Sequence, residues 1–180
     1  MATLFTSESY VKRFTAIGST MDESALMPHI LVAQDRHIMP VLGTDLYDSL
    51  VSKVGAGSVT SQYSTLLDKY IAPCLAHYSF IEAAYTMRLR FANNSVTLVD
   101  SEAGQSASVA DIKLAVERAE GIAAFYKQRL IDYLVNNTDL FSEYMTNSGA
   151  DLQPTRNNYF QGLNIYAERT NKFPPGTLDS

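Results

Sequence analysis

The residues best suited to metal binding or acid–base chemistry in this sequence are three histidines, His29, His37 and His77. His29 and His37 are eight positions apart, two helical turns, and neither has Asp or Glu at the three- or four-residue spacing of helix-borne metal sites. Glu82 lies five residues after His77, off the same helical face, which favours a polar residue at a helix interface. The sequence therefore predicts no metal site and no cofactor.

Other motifs for catalysis are equally weak. Cys74 follows a proline on an apolar face and has no activating histidine nearby in sequence, so we interpret it as a core residue. The run 55–58, Gly-Ala-Gly-Ser, is neither preceded by a strand nor followed by the lysine of a phosphate-binding loop. Glu117 and Glu120 lack histidine partners and fit a solvated helix face. We expect no enzymatic activity; the alternative is a hydrolase with an unrecognised site.

Composition narrows the class of protein further. The chain has 180 residues, with 14 basic and 19 acidic side chains, a net charge of -5 and a pI of about 5.1. Its length suits one buried core, and its acidity disfavours wrapping around nucleic acid, where Lys and Arg must neutralise phosphates. One cysteine cannot form an intramolecular disulfide, which favours a reducing compartment. Neither a signal peptide nor a membrane-spanning run is recognisable, so we expect no membrane partner.

Apolar residues recur at three- and four-residue spacing, which predicts a mainly α-helical protein. A first helix is predicted within residues 22–38. Because Pro28 is best tolerated in a first turn, we expect this helix to begin near Met27 rather than to bend, and to end at Met39-Pro40. A second helix is expected to follow a turn at Gly43-Thr44, with a possible N-cap there, and to stop at 55–57.

A third helical pattern begins after Thr60, which is a suitable N-cap residue. The pattern continues past Pro73, so a kink or a division into two helices is expected there. Residues 38–42 and 71–75 share an Ile-x-Pro-x-Leu pattern, 33 positions apart. Two copies do not make a repeat protein, and we interpret them as two helix ends built alike.

The strongest helical pattern runs from Val109 to Val135. Ser108 and Asp111 have the spacing of a capping box. The apolar stripe consists of Ile112, Ala115, Val116, Ala119, Ile122, Ala123, Tyr126, Leu130, Tyr133 and Leu134. At ~1.5 Å per residue this helix would be roughly 40 Å long, about the width of such a domain. A short further helix is expected around Tyr144.

Residues 87–100 change to a two-residue period, which predicts a β-hairpin turning at Asn93-Asn94. In this register Leu89 faces Leu98 and Phe91 faces Val96. Because an isolated hairpin is marginal in water, its apolar side is expected to lie on helices or its edge to pair with another chain.

Residues 149–180 have no periodic pattern yet keep many large apolar side chains. A solvated linker would lack them, which favours an extended arm that binds a surface of this chain or of a neighbour. The alternative is a tail folded back on its own core. The predicted fold is thus a helical bundle (1–148) with one long helix, a small β-hairpin and an extended C-terminal arm (149–180). The candidate interface residues are Leu89, Phe91, Val96, Leu98, Tyr159, Phe160, Leu163, Tyr166 and Phe173.

One stretch of core and turn residues resembles the small head–tail connector, or adaptor ring, proteins of tailed bacteriophages, particularly those of crAss-like phages. The matching residues are Ala33-Gln34, Ile38-Met39-Pro40-Val41-Leu42-Gly43, Leu46-Tyr47, Leu50, Leu66-Leu67 and Tyr70-Ile71-Ala72-Pro73, followed by the long tyrosine-rich helix. The resemblance covers residues 20–146. It rests on packing and turn residues and not on a catalytic motif.

The resemblance implies a structural virion protein, made in the host cytoplasm and located at the head–tail junction. Its copies would form a ring, of twelve by resemblance, below the portal protein, extend the DNA channel and offer a platform for other tail or connector proteins. Double-stranded DNA would pass without specific binding, since acidic channel walls repel phosphates. The candidates for such walls are Asp45, Asp48, Glu117 and Glu120. The alternative is a small helical binding, adaptor or chaperone module without catalysis.

Overall fold

A computed structural model describes residues 3–18, 21–86, 108–146 and 151–156, together with the backbone of 89–92 and 95–98. These residues are mainly α-helical, which confirms the helical part of the predicted fold class. The α-helices are α1 (Glu8–Phe14), α2 (Glu23–Ala33), α3 (Met39–Leu42), α4 (Thr44–Gly55), α5 (Ser61–Leu66), α6 (Ala72–Thr86), α7 (Val109–Asn136) and α8 (Ser142–Thr146). Two π-helical turns, π1 (Gln34–Ile38) and π2 (Leu67–Ile71), join α2 to α3 and α5 to α6.

Helix α6 is the central element of the bundle. It packs against α7 on one side and against α2 and α1 on the others, while α4 contacts α8. Its buried residues are small or medium in size, and they include Cys74, Leu75, Ala76 and Ser79. Small side chains let neighbouring helices approach α6 closely, which is why one helix can contact three others.

Helix α2 begins earlier than the sequence predicts. The side chain of Asp22 accepts a hydrogen bond from the Ser24 N–H at 2.9 Å and caps a helix that starts at Glu23, with Pro28 inside it. The predicted start near Met27 is therefore wrong. Proline removes the N–H that would bond to the carbonyl of Ser24, and because both residues are exposed, water can satisfy that carbonyl.

The two Ile-x-Pro-x-Leu segments lie at π-turn junctions and not at two helix ends. The N–H of Met39 bonds to the Gln34 carbonyl, and that of Ala72 bonds to the Leu67 carbonyl, five residues back in both cases. Each donor directly precedes a proline, whose ring would clash with a carbonyl in a regular helix. The wider π turn accommodates both prolines. Hence the chain stays helical past Pro40 to Leu42, contrary to the predicted end, and the predicted division at Pro73 takes the form of π2.

The segment before α2 contains helix α1, which the periodicity analysis missed because one short helix gives little pattern. The side chain of Gln34, only 1% exposed, holds this segment in place. It accepts the Phe5 N–H at 2.9 Å and donates to the Thr3 carbonyl at 3.1 Å and to the Tyr47 hydroxyl at 2.9 Å. The Tyr47 hydroxyl in turn donates to Asp35 at 2.5 Å. We call these contacts the Gln34 network.

The junction between α3 and α4 receives residues 151–156 in extended conformation. Gly43 stands between the helices with a φ of 76°, a left-handed value that favours glycine. Thr44 caps neither helix through its side chain; its hydroxyl accepts the Leu152 N–H at 2.9 Å instead. The Thr155 N–H donates to the Pro40 carbonyl at 3.0 Å, and Arg156 donates to the Tyr144 carbonyl at 2.7 Å. The first described part of the predicted arm therefore lies on its own subunit.

Helix α7 is 28 residues long and begins with the predicted capping box of Ser108 and Asp111. Two residues of its predicted core stripe, Ala115 and Ile122, are exposed instead. They lie at the edge of the stripe where α7 passes α6 without a third helix covering the gap. Periodicity marks an apolar face but does not show where a neighbouring element ends.

Residues 89–92 and 95–98 form two antiparallel strands, β1 (Leu89–Ala92) and β2 (Ser95–Leu98). The backbone register places Leu89 opposite Leu98 and Phe91 opposite Val96. The side chains of both strands lie outside the described residues, so the apolar face remains a prediction.

Candidate functional site

An open groove lies between three elements of the described part of the chain. The end of α1 forms one wall, α6 the floor and the first half of α7 the other wall. Its volume is about 680 Å³, within the range of pockets that bind ligands. The lining residues are Phe14, Thr15, Ala16, His77, Phe80, Asp111, Leu114, Ala115, Arg118, Ala119 and Ile122. We call this surface the α1–α6–α7 groove.

The α7 side of the groove combines two small residues with four larger ones. The small residues are Ala115 and Ala119, and the larger ones are Asp111, Leu114, Arg118 and Ile122. The two alanines leave space that longer side chains would fill. A second depression of about 230 Å³ shares Ala16, Phe80 and Ala115 with the groove and reaches Met21, so the two depressions are adjacent.

Large apolar side chains stand exposed around this groove. The exposed fractions are 52% for Phe14, 69% for Leu114 and 36% for Ile122, and Phe125, one turn farther along α7, is 64% exposed. Single exposed apolar residues are common, but a contiguous group beside a concave surface is typical of interaction sites. The groove is thus suited to binding an apolar partner.

Four polar or charged residues line the groove: Thr15, His77, Asp111 and Arg118. Asp111 accepts hydrogen bonds from Ser108, which lowers the pKa of its carboxyl group. His77 is half-buried and stacks on Tyr126 with ring centroids 5.9 Å apart, and burial lowers the pKa of its imidazole. Neither residue forms a pair with a nucleophile here. The groove can therefore bind and orient apolar groups, but its geometry does not suggest acid–base chemistry.

The histidines are placed differently from one another. The His37 ring lies 2.9 Å from the Glu82 carboxylate and stacks on the Tyr78 ring, with the ring centroids 3.9 Å apart. The same carboxylate binds the Arg36 guanidinium at 3.0 Å. Glu82 is therefore the partner of His37 and not of His77. His29 contacts the Thr86 hydroxyl at 3.2 Å. Among the described residues, no three His, Cys, Asp or Glu side chains lie close enough to hold a metal ion.

Cys74 is buried, as the sequence predicts for a core residue. Burial raises the pKa of its thiol to about 12, although Lys127 opposes the shift. Its sulfur lies 3.9 Å from the Ala123 carbonyl of α7. A protonated thiol at this position contributes to packing between α6 and α7 and is a poor nucleophile.

A polar cluster that sequence reasoning missed joins α4, α5 and α8. The Glu143 carboxylate accepts hydrogen bonds from Ser49 and Tyr63, both at 2.9 Å, and lies 3.3 Å from Lys53 Nζ. Lys53 also donates to Ser49 and lies over the Tyr63 ring, 4.4 Å from its centroid. We call this the Glu143 network. Only the i,i+4 spacing of Ser49 and Lys53 was visible in the sequence.

The Glu143 network is organised for stability and not for nucleophilic chemistry. Ser49 donates its proton to Glu143 and accepts from Lys53, but the low pKa of Glu143 makes this carboxylate too weak a base to activate a serine hydroxyl. Burial works to raise the pKa of Glu143, but its own backbone N–H, Ser49, Tyr63 and Lys53 lower it to about 2. The carboxylate is thus held charged between three helices.

None of the interface residues predicted from sequence lies in the groove as described. Leu89, Phe91, Val96 and Leu98 pair through their backbones in β1 and β2. The predicted arm residues Tyr159, Phe160, Leu163, Tyr166 and Phe173 lie outside the described residues. The exposed apolar residues that were missed are Phe14 and Leu114, which line the groove, and Phe125, which lies one turn beyond it on α7. Leu114 and Phe125 are eleven positions apart, three helical turns, and this spacing was the available signal.

These observations define a mainly α-helical protein with an open groove that is lined mostly by apolar residues. Among the helices of the described ranges, none is long and apolar enough to cross a membrane. Residues 38–154 match a family of unknown function, DUF6712, and the chain belongs to this family. The match includes α6 and α7 of the groove but not α1. Neither the curated proteins nor the solved structures contain a significant match to the chain.

Proposed function

We propose that this chain is a structural subunit of a head–tail connector ring in a tailed bacteriophage. The observation that carries the proposal is the exposed apolar surface of α7, formed by Leu114, Ile122 and Phe125 beside the groove. Such a surface is costly for a chain that remains alone in water. Contact with identical neighbours would cover it.

A ring requires a heterologous contact, in which two different surfaces of the same chain meet. The groove is one such surface. The β1–β2 hairpin is the other candidate, because its outer backbone edges can pair with another chain. The sequence resemblance adds the twelve-fold ring, the portal protein and tail or connector proteins as partners, and a channel for double-stranded DNA.

The acidic net charge supports passage of DNA without binding. Glu117 and Glu120 are exposed on α7, on the side away from the groove. In a ring whose neighbours meet at the groove, carboxylates such as these can line the channel and repel phosphates. The proposal assigns the chain no catalytic step.

Mass photometry of the purified chain, alone and mixed with portal protein, tests the proposal. We expect a closed oligomer of uniform mass, or a complex with the portal, and electron micrographs that show a ring. A chain that stays monomeric in both conditions would exclude a ring subunit. The concave shape of the groove would then favour the second candidate, a small helical adaptor or chaperone that binds one apolar peptide.

Variants in the hairpin test its part in assembly. Replacing Phe91 and Leu98 with Ser removes apolar side chains from both strands and should weaken assembly. Replacing Arg88 and Arg90 with Gln changes charge on the same segment and is the matched control. Sedimentation measures assembly, and thermal unfolding measures folding. Equal loss of folding in both variants would show that the apolar side of the hairpin is misassigned.

A further inference from the structure

The groove and the depression beside it offer an apolar surface to a peptide segment. Their volumes are about 680 and 230 Å³, and they share three lining residues. Ala115 and Ala119 leave room for inserted rings, and Phe14, Leu114 and Ile122 provide apolar contacts for them. A groove of this kind accepts aromatic side chains spaced along a peptide more readily than it accepts a helix about 10 Å wide.

Residues 157–180 carry the side chains that fit such a groove. They include five large apolar candidates, Tyr159, Phe160, Leu163, Tyr166 and Phe173. Pro174-Pro175 favours extended backbone, and the segment has balanced charge, with two acidic and two basic side chains. A surface that binds this segment therefore does not need to be charged, and the segment does not need to form a long helix.

This segment leaves the bundle at some distance from the groove of the same chain. Arg156 is held at the Tyr144 carbonyl in α8, beyond the C-terminal end of α7. The nearest groove residue of α7, Ile122, lies 14 positions before Asn136, or about 21 Å along the helix. At ~3.4 Å per residue, residues 157–180 can extend about 80 Å, which reaches this groove or that of a neighbour. A closed ring requires a heterologous contact, and this requirement selects the neighbour's groove.

We propose that residues 157–180 of one copy occupy the α1–α6–α7 groove of the adjacent copy. This inference rests on the proposed ring, and it assigns the two different surfaces that a heterologous contact needs. The arm of each subunit fills the groove of the next, so every groove and every arm is used when the ring closes. The first described part of the arm, 151–156, stays on its own subunit and fixes where the rest departs.

Disulfide trapping in the full-length chain tests the inference. In a Cys74→Ala background, Ile122→Cys protein is mixed with protein carrying Phe160→Cys, Tyr166→Cys or Phe173→Cys, and mild oxidation follows. We expect a disulfide-linked dimer between the groove variant and at least one arm variant. Glu120→Cys, exposed on another side of α7, is the matched control and should give none.

The outcomes separate this inference from the proposed function. Rings without the Ile122 cross-link, or with equal cross-linking of the Glu120 control, overturn the inference and leave the ring intact. A variant that carries Ile122→Cys and one of the arm cysteines in the same chain adds a further test. If it gives only an intramolecular disulfide, the arm covers its own groove, which also overturns the inference. A chain that never assembles overturns both proposals. Cross-linked rings support both.

Truncation after Arg156 gives a second measurement. This variant keeps the contacts of 151–156 with Thr44, Pro40 and Tyr144. It should unfold like the full chain, since no described contact is lost, but assemble about a hundredfold more weakly, as expected when several aromatic contacts are removed. Unchanged assembly would overturn the inference.

Discussion

The two parts of α7 differ in what surrounds them. Residues 126–136 lie within the bundle, where Leu130, Ile131 and Leu134 are buried and Tyr133 stacks on Tyr70 at 3.9 Å. Residues 109–125 place only Val116, Ala119 and Ala123 in the interior and leave larger apolar side chains in water. One helix thus has an end whose packing is complete within the subunit and an end that is suited to a partner.

This difference separates folding from assembly. Large side chains in the second part stabilise the bundle, because they remove apolar area from water within one subunit. Large side chains in the first part contribute little until another surface covers them. Substitutions in the two parts should therefore affect different measurements.

The largest effect is expected from shortening a buried residue of the second part. Leu130→Ala should lower the free energy of unfolding by about 2–5 kcal/mol, since Leu130 is fully buried and a cavity remains. Leu114→Ala makes the same chemical change on the exposed part. It should alter the free energy of unfolding by no more than about 0.5 kcal/mol, and it should weaken assembly. Urea unfolding and mass photometry measure the two properties. Similar destabilisation by both variants would remove the distinction.

The Gln34 network should give the next largest effect. Gln34→Leu keeps the size of the side chain but leaves the Phe5 N–H, the Thr3 carbonyl and the Tyr47 hydroxyl without this partner. We expect a loss of about 1–3 kcal/mol, because buried polar groups would lack hydrogen bonds. Hydrogen exchange at the Phe5 amide should accelerate, whereas exchange in residues 126–136 should not. Unchanged protection of Phe5 would contradict the role given to Gln34.

Acid should weaken the packed end of the molecule through Glu143. Its folded pKa is about 2, below the ordinary value of 4.5, so its contribution to stability is complete above about pH 4.5 and is lost as the pH falls toward 2. Glu143→Gln should flatten the dependence of the urea midpoint on pH within this window. Thr146→Ala, at another exposed residue of α8 whose hydroxyl donates to the Ser142 carbonyl and not to Glu143, should keep the wild-type profile. An unchanged profile in Glu143→Gln would assign the acid sensitivity to other groups.

The smallest effect is expected for charges on the exposed part of α7. Lys113 and Glu117 form an i,i+4 pair at 3.8 Å with both side chains mostly exposed. Lys113→Gln should change stability by only about 0.3–0.5 kcal/mol, since solvent screens such pairs. Thermal unfolding in low and high salt measures this contribution. A larger loss would mean that this part of α7 is more tightly packed in the subunit than its exposure indicates.

Local sequence patterns determined the helical class, the capping box at Ser108 and the approximate limits of α7. These features depend on side-chain spacing and hydrogen bonds within a few residues, which a sequence displays directly. The same patterns located the π-turn prolines but not their geometry. Pro40 and Pro73 were expected to end or divide helices, and a sequence does not show that a wider turn can absorb the missing N–H.

Only the tertiary structure decided which apolar residues belong to the core and which to a surface. Ala115 and Ile122 share the periodicity of the buried stripe, yet they are exposed and line the α1–α6–α7 groove. The Gln34 and Glu143 networks join residues up to 94 positions apart. Burial and long-range hydrogen bonds depend on which distant segments meet, and that information is absent from the spacing of residues along one helix.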